Sequence, residues 1–464
     1  MRLIAIVGCI LFLNSCISEK NYEKPNFVII FTDDQGYQDL GCFGSPTIQS
    51  PNLDRMAAEG VRLTSFYVGA PLCTPSRAAL MTGSYPTRID MAEGVDFPVL
   101  LDADPKGLNP NEITIAEVLK SVGYKTGMFG KWHLGDQPEF LPTTQGFDEF
   151  FGLPYSYDIS PFHLNNKKYN FSPLPLLEGE KVIEINPDCD YLTKRITERA
   201  VRFIEENKDD PFFLYIPHPS PHRPIYVSPD FLGEAPDSIK SQLEKEEGYI
   251  AYAARDKLYK YAINEIDWSV GQVLDALKRN GIDENTVVFF TSDNGPVKGS
   301  AKPLRGRKGS AYEGGVREPA IMRWPGKISA GQVNDELLTA MDILPTFANL
   351  AGAKAPDDRV IDGKDIWEVL VNNKKSPRKA FFYHQRKELK AVRTGQWKLH
   401  VEGDDPMALY NLGNDISEKN NVLEGNQDMA DEMLSYIKEF KKDIENNKRP
   451  AAYVENPLPL AQKE

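Results

Sequence analysis

The chain has 464 residues, 41% hydrophobic and 26% charged, the balance of a globular protein with a sizeable core and not of a disordered, collagenous or disulfide-stapled one. Its 67 acidic against 54 basic residues give a net charge of −13, and no Lys/Arg-rich run interrupts it, which argues against a nucleic-acid partner. An acidic chain that handles an anion needs a small, locally basic pocket set against its own field.

At the start of the chain, Arg2 precedes an apolar run over residues 3–13 and then Asn14-Ser15-Cys16, the pattern of a secretory signal. Eleven apolar residues are too few to span a bilayer. Ending on a cysteine resembles the bacterial lipoprotein signal. Residues 1–15 are thus expected to be the signal peptide, Cys16 the lipidated first residue of the mature chain, and residues 16–25 a polar tether. Asn14 stands where a smaller residue is usual, so export is expected whether or not Cys16 is lipidated. The expected location is periplasmic or anchored at the outer membrane, with membrane contact only through Cys16.

Beyond the tether, short β-branched or aromatic runs alternate with helical patterns. Asn26-Phe27-Val28-Ile29-Ile30-Phe31 is a continuous apolar run of buried-strand type. Ser50-Pro51-Asn52-Leu53 offers an N-cap and a Pro at the first helical position, with Leu53, Met56 and Ala57 on one face. Further strands are predicted over residues 61–68, 124–129, 212–216 and 287–291, and helices over 113–121, 191–207 and 249–280. This order predicts an α/β fold, a large mostly parallel sheet between helices, with its ligand site outside the carboxyl ends of the strands. Two acidic clusters fall there, Asp33-Asp34 after the first strand and Asp293-Asn294-Gly295 after the run ending at Ser292.

After residue 375 the pattern becomes short strands over 381–383, 389–393, 396–401 and 408–412. A helix follows, with Met429, Met433, Tyr436, Ile437 and Phe440 at helical spacing. The expected organisation is a main α/β domain over 26–375 and a smaller α+β subdomain of antiparallel strands plus a helix over 376–464.

Of the five cysteines, Cys9 and Cys16 belong to the export segment, leaving Cys42, Cys73 and Cys189. Three body cysteines do not make a disulfide framework, and one of them must be unpaired or chemically special. Cys73 stands in Pro71-Leu72-Cys73-Thr74-Pro75-Ser76-Arg77-Ala78-Ala79-Leu80-Met81-Thr82-Gly83. A helix beginning near Pro75 puts its free N–H groups and dipole beside Cys73 and places Arg77 within a turn of it. In Gly123-Tyr124-Lys125-Thr126-Gly127-Met128-Phe129-Gly130-Lys131-Trp132-His133, an extended ending would turn Lys131 and His133 to one face.

Both segments resemble the two signatures of the type I, formylglycine-dependent sulfatases. The resemblance continues in family order through Asp33-Asp34, His222 in Pro221-His222-Arg223-Pro224, Asp293-Asn294-Gly295, and Lys308 ahead of Tyr312-Glu313-Gly314-Gly315. It ends with Met341-Asp342-Ile343-Leu344-Pro345-Thr346 and Leu409-Tyr410-Asn411-Leu412. It covers roughly residues 25–425, and the run through Glu318-Pro319 resembles arylsulfatase A and N-acetylgalactosamine-6-sulfatase.

The resemblance implies an alkaline-phosphatase-like sulfatase fold and Cys73 oxidised to formylglycine by a maturation enzyme. It further implies Ca²⁺ held by Asp33, Asp34, Asp293 and Asn294 with residue 73, a donor set that suits a hard cation. Arg77, Lys131 and Lys308 would supply positive field. Asp293 would act as base, His222 with Lys308 would protonate the departing alcohol, and His133 would deprotonate the second hydroxyl of the hydrated aldehyde. His218, four residues before His222 in a Pro-rich loop, stays open between substrate rim and structural role; His384 and Arg386 are expected at the rim. The activity implied is hydrolysis of sulfate monoesters of a sulfated carbohydrate. A phosphate-ester substrate, as in the phosphodiesterases and phosphonate monoester hydrolases of the same superfamily, is the second reading. A glycan-binding lipoprotein with a dead site is the third, against which every catalytic position is filled.

Overall fold

A computed structural model of the chain describes residues 24–245 and 248–462. The main sheet has 11 strands, ten of them on one path. The path runs Gln332–Asn334, Val61–Tyr67, Arg317–Arg323, Thr286–Ser292, Asn26–Thr32, Phe212–Pro217, Lys125–Lys131, Glu149–Leu153, Pro175–Glu178 and Lys181–Ile185. Leu338–Thr339 pairs with Val61–Tyr67 as the eleventh. The five strands from Thr286–Ser292 to Glu149–Leu153 are parallel. Arg317–Arg323 and Pro175–Glu178, the first strand of the hairpin at the far edge, run against them, so the sheet is mixed. Val61–Tyr67, antiparallel to Arg317–Arg323, again points with the central strands. The carboxyl ends that open on one edge include Thr32, Tyr67, Lys131, Leu153, Pro217 and Ser292.

Side chains of the first strand alternate between two cores, as the two-residue period of a strand requires. Phe27, Ile29 and Phe31 pack with the helices Cys73–Thr82, Ile115–Lys120 and Ile343–Ala351. Val28 and Ile30 pack with Pro51–Ala58, Leu192–Glu206 and Tyr259–Arg279. The helix expected over 249–280 is broken into Gly248–Arg255, a 3₁₀ turn Asp256–Leu258 and Tyr259–Arg279. At the break the Asp256 carboxylate holds Arg223 at 2.6 Å and Lys298 at 2.7 Å. This anchors the loop that carries His222.

The strands expected after residue 375 form a four-stranded antiparallel sheet, Phe381–Gln385, Glu388–Thr394, Trp397–Glu402 and Asp405–Asn411, packed under the helix Gln427–Asn447. Ala430, Met433, Ile437 and Phe440 are the buried stripe of that helix, and Phe440 stacks on Phe382 with ring centroids 3.9 Å apart. This unit is bolted to the main sheet through Glu313. Its fully buried carboxylate accepts hydrogen bonds from Tyr67 Oη (2.5 Å), Tyr383 Oη (2.7 Å) and Lys398 Nζ (3.0 Å), and pairs with Arg317 at 3.3 Å. Beyond the helix, Ala452–Tyr453 pairs with Lys106–Gly107, so the end of the chain returns to the main domain. Residues 1–23, which carry the expected signal, lie outside the described residues.

Candidate active site

Two neighbouring parallel strands bring the acidic clusters together: Thr32 pairs with Ser292, so Asp33 and Asp293 leave the sheet side by side. The Asp293 N–H donates to the Thr32 carbonyl at 3.0 Å. Asp34 has φ 65°, a left-handed conformation uncommon outside glycine, and its carboxylate accepts from Asn294 Nδ2 at 2.7 Å. Gly295 packs against the Gly314-Gly315 backbone so closely that a Cβ would lie 1.9 Å from the Gly314 oxygen. Gly314 and Gly315 are themselves held close to other backbone, a Cβ on them lying 2.6 Å from the Gly306 oxygen and 2.1 Å from the Ser310 oxygen respectively.

The helix Cys73–Thr82 begins at Cys73 itself, two residues earlier than Pro75 suggests, because Pro is tolerated within the first turn. The buried Cys73 Sγ lies 3.2 Å from Lys308 Nζ and 3.4 Å from Asp33 Oδ1. Burial, reinforced by the Asp33 charge, pushes the thiol well above its usual range, so it is protonated and poorly nucleophilic as a cysteine. Arg77, four residues after Cys73, pairs with Asp293 at 2.8 Å and Asp33 at 3.3 Å and donates to the Lys131 carbonyl at 2.9 Å. Lys131 pairs with Asp33, and Lys308 with Asp34. Burial alone would raise the Asp33 carboxyl, but Lys131, His222, Arg77 and Lys308 outweigh it and hold the group well below the usual range. Burial, with the Asp33 charge added, pushes Asp293 up to about 6.

Three carboxylates thus face three cations, a neutral cluster to which a divalent ion would add net positive charge for an anionic substrate. Asp33, Asp34, Cys73 and His222 offer ligand atoms within 4.8 Å of one another. Asn294 Oδ1 and Asp34 Oδ2 are buried acceptors without a hydrogen-bond partner. Unsatisfied oxygens in an oxygen-rich cluster fit a hard cation such as Ca²⁺.

His133 and His222 are oriented by backbone carbonyls. His133 Nε2 bonds the Leu100 carbonyl at 2.9 Å, so that nitrogen carries the proton and Nδ1, which has no partner, keeps its lone pair. Burial and the nearby Lys131 push His133 well below its usual pKa, which suits a base. Its φ is 65°, so a left-handed turn, and not strand alternation with Lys131, aims it into the site. His222 Nδ1 bonds the Arg223 carbonyl at 2.6 Å, and Nε2 faces Asp34 Oδ2 at 3.6 Å.

Cys73, His133, His222 and Lys308 line a cavity of about 350 Å³. The expected rim residues do not. His218 is fully buried, bonds Ser269 Oγ at 3.1 Å and is pushed by burial down to about 4, so its role is structural. His384 is buried between Tyr85 and Phe440, at ring distances of 5.6 and 5.7 Å, on the same face of its strand as Phe382, which meets the same two rings. Arg386 braces Glu93 at 2.7 Å outside the cavity. Ser156 and Asp158 do line it; neither belongs to a motif that would have singled it out.

A family model for sulfatases matches residues 25–353. The chain belongs to the sulfatase family. A model described as N-sulphoglucosamine sulphohydrolase, C-terminal, matches residues 307–448 of this sulfatase. Human arylsulfatase A is 37% identical over 470 residues, covering 90% of this chain and 87% of that protein. Rat N-acetylgalactosamine-6-sulfatase is 38% identical over 407 residues, covering 82% and 72%. The crystal structure of Ps i-CgsB in complex with k-i-k-neocarrahexaose superposes with a TM-score of 0.76 at 32% identity, covering 93% of this sulfatase and 95% of that chain. The sulfatase is accordingly a sulfuric ester hydrolase with an alkaline-phosphatase-like fold.

Proposed function

We propose that the sulfatase hydrolyses sulfate monoesters of a sulfated carbohydrate outside the cytoplasm, through a formylglycine made from Cys73 and a Ca²⁺ ion held by Asp33, Asp34, Asp293 and Asn294. The observation that carries this reading is Cys73 at the cavity floor between Lys308 and Asp33, beside buried oxygens that lack partners. The carbohydrate is supported by the likeness to N-acetylgalactosamine-6-sulfatase and to a structure solved with neocarrahexaose. Export, and a lipid anchor at Cys16, are supported by the sequence of residues 1–16.

A sulfate monoester carries a negative charge that repels nucleophiles, so the site must neutralise charge and protonate the leaving oxygen. Ca²⁺ held by Asp33, Asp34, Asp293 and Asn294 would supply positive charge for the sulfate, and a hydrated aldehyde at residue 73 would supply one hydroxyl as nucleophile and a second through which sulfate is released. Lys308, at the cavity wall, adds a cation there, while Arg77 and Lys131 from below hold Asp293 and Asp33 in place. Asp293 would accept the proton of the attacking hydroxyl and His222 with Lys308 would donate one to the departing alcohol; His133 would take the proton of the second hydroxyl at its free Nδ1 as the C–O bond to sulfate breaks, and water would then restore the hydrate.

Desulfation of a panel of sulfated mono- and oligosaccharides tests the reading; the matching phosphate esters, if preferred, would replace it with the phosphoryl alternative. His222→Ala is expected to lower kcat on sugar sulfates by about 10²–10⁴-fold, the scale of a lost general acid. Aryl sulfates, with better leaving groups, should lose much less; equal losses would remove the acid role. Chelator-treated enzyme is expected to lose activity and to regain it with Ca²⁺, whose addition at a hundredfold excess over its dissociation constant should stabilise the fold by about 3 kcal/mol. Full activity after chelation, or recovery with zinc alone, contradicts the assignment.

A further inference from the structure

Beyond the sulfate, the cavity is walled by two loops of distinctive chemistry. One is the segment 93–104, which contributes Phe97, Pro98, Val99 and Leu101 to the wall. It carries four acidic residues, Glu93, Asp96, Asp102 and Asp104, and no basic one. The facing loop contributes Ile159, His163, Tyr169 and Phe171. Their rings form one cluster, with Tyr169 stacked on Phe171 at 5.2 Å and set edge-on to Phe97 at 6.1 Å. Val95, Phe97, Phe162 and Leu164 stand exposed along the same two loops. Among the described residues Lys308 is the one Lys or Arg lining the cavity, and Asp34 already pairs with it. Lys167 and Lys168 of the second loop are exposed and do not line it.

Asp158 projects into this apolar setting. Its Oδ1 is buried and has no hydrogen-bond partner. The nearby His222 Nδ1, 3.9 Å away, does not satisfy it, because that nitrogen already bonds the Arg223 carbonyl. An unpaired carboxylate oxygen against an apolar wall is costly unless a ligand donates to it.

Building on the carbohydrate reading above, we infer that the leaving group is a single uncharged sugar ring with one sulfate. Its apolar face lies along the Phe97 and Tyr169 wall, and a ring hydroxyl or amide N–H donates to Asp158. A second sulfate or a carboxylate on the ring would meet Asp158, while Lys308, the one Lys or Arg lining the cavity among the described residues, is already paired with Asp34. The cavity volume, at the small end of ligand pockets, matches one ring.

The test measures kcat/KM for the mature enzyme on galactose and N-acetylgalactosamine sulfated at position 4 or 6. N-acetylgalactosamine 4,6-disulfate carries the extra charge, and cyclohexyl and cyclohexylmethyl sulfates are leaving-group-matched controls without hydroxyls. The wild type is expected to favour a monosulfated sugar over the disulfate by about 10²-fold, the scale of an uncompensated like charge. Asp158→Ala should lower the ratio of sugar to cyclohexyl substrate by about 30-fold, the worth of a hydrogen bond to a charged acceptor, mostly through KM. Equal cleavage of mono- and disulfate, or equal losses on sugar and cyclohexyl substrates in Asp158→Ala, would overturn the inference while leaving the carbohydrate reading intact. In the second case Asp158 would be acting through His222. If the wild type cleaves the cyclohexyl esters and none of the sugars, the carbohydrate reading itself fails and takes this inference with it.

Discussion

Replacing Cys73 by Ser is expected to lower sulfate-ester turnover by about 10⁴-fold or more, the scale on which losing a covalent nucleophile is measured. Folding should be unaffected, because the thiol's two contacts, Lys308 Nζ and Asp33 Oδ1, can both be met by a hydroxyl. The loss follows from the proposed chemistry. A serine that accepted the sulfuryl group would be left as a stable sulfate ester, whereas a hydrated aldehyde has a second hydroxyl through which to release it. Mass spectrometry of the peptide containing residue 73 should find an aldehyde in active wild-type enzyme. Full activity with an unmodified thiol there would contradict the proposal, and the wild-type protonated thiol, desolvated beside Asp33, gives no alternative nucleophile of comparable strength.

The second large effect is on stability. Glu313→Gln is expected to cost about 3 kcal/mol, the low end for breaking a buried ion pair, since Lys398 retains Glu418 at 2.8 Å while Arg317 loses its partner. Burial opposes the charge of Glu313, but Lys398, Arg317 and Arg393 outweigh it and hold its carboxyl far below the usual range. A depressed carboxyl contributes stability that is fully present above the unfolded value, about 4.3, and is lost as pH falls below it toward the folded value. The difference between wild type and variant in denaturant midpoint should therefore be constant from neutral pH down to about 5 and shrink at lower pH. A difference that instead vanished between pH 6 and 8 would mean that another group titrates with the hub. Because Tyr67 comes from the main sheet and Tyr383 and Lys398 from the C-terminal one, the variant should also loosen the two units together.

The amino-acid sequence by itself determined the parts of this protein that are local in the chain. An apolar run ending in Asp33-Asp34 and another ending in Asp293-Asn294 read as strands with acidic ends, and a parallel sheet leaves such ends on one edge. The Cys73 segment announced a helix start with a reactive group and a cation one turn away, and the helix forms there. The strands and the amphipathic helix after residue 375 were legible from their periods for the same reason. What only the tertiary structure decided depends on which surface a side chain meets after the elements pack. His384 shares the face of Phe382 and enters the core under the Gln427–Asn447 helix, not the rim, because that helix packs on this face. Burial against the Tyr259–Arg279 helix removes His218 from the site, while His222, four residues on, stays at the cavity. The tertiary pairing of Asp256 with Arg223 and Lys298 marks the point where a helical pattern read as continuous is interrupted. Ser156 and Asp158 matter because two loops distant in sequence close around them, and the Glu313 hub exists because two separate sheets bring donors to one carboxylate. Periodicity and motif spacing report a segment's own geometry, whereas these roles are set by partners contributed from elsewhere in the chain.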